Sequence, residues 1–441
     1  MAIIINEMKL PITPREACDY IQENTDNFGV FFDVERCFEL CGILHLRNKT
    51  IVKQLRNLSG NASLAIGNKD SVIKELCTMG VAKSEFFRNG SSNASLNADV
   101  YTSIMSNKNY SEAVHKFIEL YSNYTSNNRN IGYFKGLGSL PQSVVLANNG
   151  HRMSVGHPLW KLLSTSRIAA SDPGVQGVPR ATPEIITEPK GYTLYRADSG
   201  QIEPRVNFSY FTRDELIIDL INHYKDAYYG LWRFCTMRHE EEMACRDNFE
   251  KNFTHIDVDQ RVIDERQDIK TLSLAGSYGS ANLDKINPTL AAAYDKKVVH
   301  HPARLAWEQK VRDDVARGIG TFYGAFGTPV TPDSTERYSK GSSAWTNHLI
   351  RCGINNPIQT TASELMMFSV NRAMELLKHA KDSHICFYKH DEACFYISDA
   401  DVKDGLIEAL DGITAYNVKG WIPIESEPEI GVKKGKLPMF L

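Results

Sequence analysis

Apolar residues recur at i, i+3 and i+4 through VERCFELCGILHLRNKTIVKQLRNL (34–58) and again through YSEAVHKFIELYSNYTSNNRNIGYFKGL (110–137). That period predicts two long amphipathic helices within the first 150 residues. Between them, FRNGSSNASLNAD (87–99) is rich in Ser, Asn and Gly and predicts a loop. Near residue 155 the pattern changes to a stretch punctuated by Pro and Gly, ending in the apolar run YTLYRA (192–197), which predicts a strand. Helical periodicity dominates from about 212 to 318. TASELMMFSVNRAMELLKHA (361–380) predicts another helix, ICFYK and CFYI (385–389 and 394–397) a hairpin, and GWIPIESEPEI (420–430) a final strand. A helical module followed by a sheet with a helical insertion is an α+β layout with a discontinuous central domain.

Composition narrows the class without naming a function. At about 150 residues per domain, 441 residues hold two to four domains. With 42% hydrophobic and 23% charged residues, disordered and collagenous classes are excluded. The apolar run in MAIIINEMKLPITPREACDY is too short for a secretory signal, and no stretch approaches the ~18 apolar residues of a membrane span. The expectation is a cytoplasmic protein with no membrane partner. Fifty basic and 53 acidic residues give a net charge of −3, so any polyanion must be met by locally sorted cations. Nine cysteines without a CxxC pair predict reduced thiols rather than a zinc site.

Two acidic sites stand out by position. Asp198 follows the strand YTLYRA and opens DSGQIEPRV. Asp391 and Glu392 sit between two aromatic strands, where a tip reading His-Asp-Glu replaces the usual Asn-Gly or Asp-Gly. Two aspartates brought together from distant strands suit a pair of divalent cations about 4 Å apart. Taken singly, each acid reads as a surface turn residue, and spacing does not decide between the two.

Four segments in order carry a resemblance. DSGQIEPRV (198–206) and KHDEACFYI (389–397) resemble the first and third palm motifs of family A DNA polymerases, the family of bacterial DNA polymerase I. TSRIAASDPGVQGVP (165–179) and RCGINNPIQTTASELM (351–366) resemble its TGRLSSSDPNLQNIP element and its Arg-Asn-Gln segment. A fingers helix of the form Arg-x3-Lys-x7-Tyr-Gly is matched by RQDIKTLSLAGSYG, with Arg266, Lys270, Tyr278 and Gly279. On a 3.6-residue period the Arg, Lys and Tyr share a face. A second candidate, ending in Tyr323-Gly324, fails because Val311 and Val315 stand where the cations belong. It resembles instead the helix and hairpin that follow the fingers helix.

The resemblance implies a right-hand polymerase fold with helical thumb, antiparallel-sheet palm and helical fingers. Its ranges are an N-terminal segment and thumb at 1–154, palm at 155–211 and 346–441, and fingers at 212–345 with an insertion near 233–262. It implies a DNA-templated DNA polymerase acting on primer-template DNA and dNTPs with two Mg²⁺ ions, Mn²⁺ being a substitute. Asp198 and Asp391 then hold the metals, with the backbone carbonyl of Ser199 as a further ligand and Glu392 in support. Arg266 and Lys270 bind the triphosphate, while Tyr278 stands at the nascent pair. Glu203, with Gln201 beside it, crowds a ribose 2′-hydroxyl. Arg167, Arg351, Asn355, Gln359 and His390 meet the nascent pair, primer terminus or minor groove. The chain is expected to lack 3′–5′ proofreading and 5′-nuclease domains, and a separate exonuclease chain is an expected partner, as in a split phage enzyme working in bacterial or phage-infected cytoplasm.

Departures from the family are equally specific. Leu274 stands where the family has Phe or Tyr next to the sugar, and Tyr228 where it has a His. Ser199-Gly200 replaces Tyr-Ser, and Pro204 replaces Leu. The HEEE run at 239–242 reads as a charged helix face. Asp33-Val34-Glu35 resembles an exonuclease start but sits too early in the chain to be one. Two alternatives remain open: a catalytically idle primer-template binding subunit, and a single-subunit RNA polymerase relative.

Overall fold

The computed structural model describes residues 2–87, 94–179, 181–277, 287–332, 341–389 and 391–432. Residues 88–93 of the predicted loop at 87–99 therefore lie outside the described residues. The chain divides into two compact units. One is formed by residues 31–156, 178–190 and 432–441, the other by 1–30, 157–177 and 191–431.

The first unit is built on two long helices, α1 (Val34–Ser59) and α2 (Glu112–Gly138). Asp33 starts α1 by accepting the Arg36 N–H at 2.8 Å, an N-cap that satisfies one of the helix's free donors. Gly60, at φ 67°, ends it in the left-handed conformation that only glycine adopts cheaply. Leu55, Leu76, Phe86, Phe117 and Ile118 are among the residues of a core packed between these and shorter helices. Both predicted helices are present, at nearly the predicted bounds.

The second unit holds a four-stranded antiparallel sheet. Its strands are β1 (Tyr192–Ser199), β2 (His384–Lys389), β3 (Glu392–Ser398) and β4 (Ser426–Ile430), in the order β4-β1-β3-β2. Strands β2 and β3 are buried along nearly their whole length, so they read as continuous aromatic runs rather than an alternation. Three helices of this unit matter for the site: α3 (Ala227–Thr236), α4 (Gln260–Ser277) and α5 (Ser343–Leu377). Helix α5 reaches the sheet side through Met366, whose sulfur lies 3.5 Å from the Ser199 hydroxyl. Helices α3 and α4 share a core that includes Leu231, Trp232, Val262, Ile269 and Leu272, and the Trp232 indole N–H donates to Glu265 at 2.6 Å.

The segment expected as an insertion adds the helices His239–Asp247 and Phe249–Asn252. Two of the three acids of HEEE have structural partners: Glu241 pairs with Arg233, and Glu242 with Lys297 at 3.0 Å and Arg246 at 3.2 Å. Tyr323-Gly324 belongs to a short hairpin, Phe322–Tyr323 with Pro329–Val330. All nine cysteines are free thiols. Among the described residues no helix is long and apolar enough to cross a membrane.

Candidate active site

The ends of β1 and β3 gather acids by register. Asp198 lies opposite Glu392 on one side and opposite Glu427 of β4 on the other. Directly opposed residues of antiparallel strands point to one face, so three carboxylates form a row across three strands. Asp391 precedes β3, and its backbone carbonyl accepts the Ser199 N–H at 2.9 Å. The Asp198 carbonyl accepts the Thr414 hydroxyl at 3.0 Å. Main-chain bonds thus fix both aspartates before any ligand is considered.

Their electrostatics are those of a cation site. Burial raises the Asp198 carboxyl well above the ordinary carboxylate range, and Asp391, Glu392 and Glu427 push it further up. Asp391 is raised mainly by burial, then by Glu203 and Glu392, with Arg167 opposing. Oδ1 of Asp198 is buried and has no hydrogen-bond partner among the described residues. Buried acceptors normally have partners, so an orphaned carboxylate oxygen asks for a missing one. An all-oxygen donor set of this kind fits a hard divalent cation. Glu392 is partly tethered, with its Oε1 3.9 Å from the buried Arg196.

Glu427 was not among the residues expected from the sequence. Its Oε1 would lie 3.1 Å from a Cβ placed on Gly200, so the glycine that departs from the family motif makes room for this acid. The acids of ESEPE recur at a period of two. That hints at one face, but the register against Asp198 is a tertiary fact.

Around the acids, the other expected residues take distinct places. The Ser199 side chain is buried away from the acids and its hydroxyl donates to the Thr414 carbonyl at 3.1 Å, leaving only its backbone for the site. Gln201, at φ 54°, donates to Asp226 at 2.6 Å and accepts the Ala227 N–H at 2.5 Å, which ties the loop after β1 to the start of α3. Glu203 is ion-paired with Arg167.

Helix α4 presents its cations over an aromatic floor. Arg266 donates to Asp226 at 2.6 Å, and its guanidinium lies 5.3 Å from the Tyr228 ring centre and 5.1 Å from that of Tyr229. The Lys270 ammonium is 5.8 Å from the Tyr228 ring. A small cavity of about 30 Å³ is lined by Glu203, Tyr228, Leu274, Asn355 and Gln359, among others. Arg351, Asn355 and Gln359 recur every four residues on α5, so they follow one helix face, with Arg351 exposed. Tyr278 and His390 lie outside the described residues.

A separate cluster of potential ligands, Asp33, Glu35 and His151, lies in the first unit. Its groups already have protein partners. Asp33 caps α1 and meets His151 at 2.8 Å, while Glu35 pairs with Arg152 at 2.6 Å.

No family model matches the chain. Over 257 residues it is 24% identical to DNA polymerase I of Pseudomonas aeruginosa, an alignment that takes in 56% of this chain and only 25% of that protein. The structure is similar to the POL domain of Pol1 from M. smegmatis, solved in complex with DNA primer-template and dNTP. The TM-score is 0.72 at 16% identity, covering 96% of this chain and 70% of that one. The fold is that of a DNA polymerase I polymerase domain.

Proposed function

We propose that the chain is a DNA-templated DNA polymerase of family A, adding dNTPs to the 3′-hydroxyl of a primer. The observation that carries this reading is the juxtaposition of Asp198 and Asp391 at adjoining strand ends, with an orphaned Asp198 oxygen between acids. Asp198 and Asp391 are the residues that would hold two Mg²⁺ ions, joined by the Ser199 carbonyl, with Glu392 in support. When bound, such ions neutralise phosphate charge and lower the pKa of the attacking hydroxyl.

The protein's own part is positioning and charge. Arg266 offers a planar fork and Lys270 a point charge to the triphosphate, and the triphosphate must draw Arg266 off Asp226. Glu203, held by Arg167, stands where a ribose 2′-hydroxyl would go. Asn355 and Gln359 line the same cavity, and with Arg351 and His390 they serve the nascent pair and the minor groove. By the resemblance, Tyr278 serves the nascent pair. In this reading the N-terminal segment and thumb span 1–154, the palm 155–211 and 346–441, and the fingers 212–345.

Primer extension with Mg²⁺ and all four dNTPs tests it. Wild type should extend a primed template and Asp391→Ala should not. Extension by neither would favour an idle primer-template binding subunit, and extension by both would remove Asp391 from the mechanism. Robust rNTP incorporation by wild type would turn the assignment toward an RNA polymerase.

A further inference from the structure

We propose that Tyr228 is the wall against which the sugar of the incoming nucleotide is tested, supplying from α3 the ring that α4 lacks at Leu274. This inference rests on the polymerase reading above and names a specificity-determining residue within it.

The two side chains line one cavity from different helices. Tyr228, Leu274, Glu203, Ile358 and Asn355 surround its roughly 30 Å³, room for about one or two water molecules. A sugar seated against so small a space leaves little room for one more hydroxyl, which then presses on a wall. The walls differ in how readily they yield. Leu274 is 41% exposed and aliphatic, free to change rotamer. Tyr228 is 5% exposed. Its backbone N–H is bonded to the Asp226 cap at 2.9 Å, and its ring lies under the Arg266 and Lys270 cations. A ring packed against two cations and bonded through its backbone to a helix cap is stiff, so it resists where leucine gives way.

The phenol adds a second element. Burial, and then the Glu203 charge, push its pKa up to about 12, so it stays a neutral hydroxyl at working pH. Steric refusal by the ring is therefore the main effect. The same two cations that cover the ring are those assigned to the triphosphate, which couples phosphate seating to the position of the wall.

The experiment measures kcat/KM for dNTP and matched rNTP on a primed template. Tyr228→Ala and Tyr228→Leu should each lower the dNTP/rNTP ratio about tenfold or more. Tyr228→Phe should keep the wild-type ratio, and adding Leu274→Phe to Tyr228→Ala should restore it. Restoration from the opposite helix is a readout that a merely structural role would not move. A wild-type ratio in Tyr228→Leu, or an equal fall in Tyr228→Phe, overturns the inference. If Tyr228→Ala does not fold, Tyr228→Leu decides by the same ratio. Failure of the underlying reading shows differently, as a wild-type chain that extends no primer.

Discussion

Glu427 lies directly across the β4–β1 ladder from Asp198, and its carboxylate occupies the space that a side chain at 200 would need. Its charge is one of those that raise the Asp198 carboxyl. A divalent cation among these acids is attracted by all of them. Glu427→Gln keeps the shape and removes one charge. We expect the divalent concentration for half-maximal primer extension to rise by roughly three- to tenfold, the scale of a partner one step removed from a metal. Mn²⁺ binding followed by electron paramagnetic resonance should weaken in parallel. Unchanged Mn²⁺ affinity would leave Glu427 as a spacer over Gly200.

A cation that binds the native chain and not the unfolded one must also stabilise it by mass action. Added Mg²⁺ should therefore raise the melting temperature of wild type, and raise it less for Asp198→Asn. The calorimetric shift is independent of DNA and nucleotide. Equal shifts in the two proteins would place the bound metal away from Asp198.

Much of this arrangement was legible in the sequence, and the losses have physical causes. Helices α1 and α2, strand β1 and the β2–β3 hairpin follow from local periodicity, which one strand or helix suffices to encode, whereas Arg266 and Lys270 came with the family resemblance. Glu427 was missed because its role depends on the register of two strands separated by more than 200 residues. Gln201 and Ser199 were expected beside the nucleotide. The geometry engages the Gln201 side chain with Asp226 and the Ser199 hydroxyl with Thr414. A left-handed residue after β1 decides the first, and strand alternation the second. The aromatic floor under Arg266 was legible only as a departure, Tyr228 in place of histidine.

The decoy Tyr323-Gly324 gains a structural explanation from Glu364. That carboxylate is fully buried and accepts the N–H of Phe326 at 3.1 Å and of Thr328 at 2.8 Å, so it binds the hairpin turn to α5. Burial raises its pKa, against those hydrogen bonds. A Cβ on Gly324 would clash with its Oε2. Glu364→Gln turns one acceptor into a donor facing an N–H, and should cost about 1–3 kcal/mol in urea unfolding. Gly324→Ala should also destabilise the protein. Wild-type stability in both variants would refute the brace.

His384 makes acid sensitivity a property of the sheet unit. The ring is 3% exposed and stacks on Phe28 with centroids 3.9 Å apart. Burial lowers its pKa from 6.5 to about 4, although Asp382 opposes the shift. The folded-state value lies below the unfolded one, so the native chain binds fewer protons in that window. The contribution of a neutral His384 is complete above pH 6.5 and is lost as pH falls toward 4, at up to roughly 1.4 kcal/mol per pH unit. His384→Phe keeps a ring against Phe28 and cannot titrate. Urea midpoints measured from pH 7 down to pH 4.5 should fall less steeply for this variant than for wild type. Parallel curves would assign the acid sensitivity to other groups.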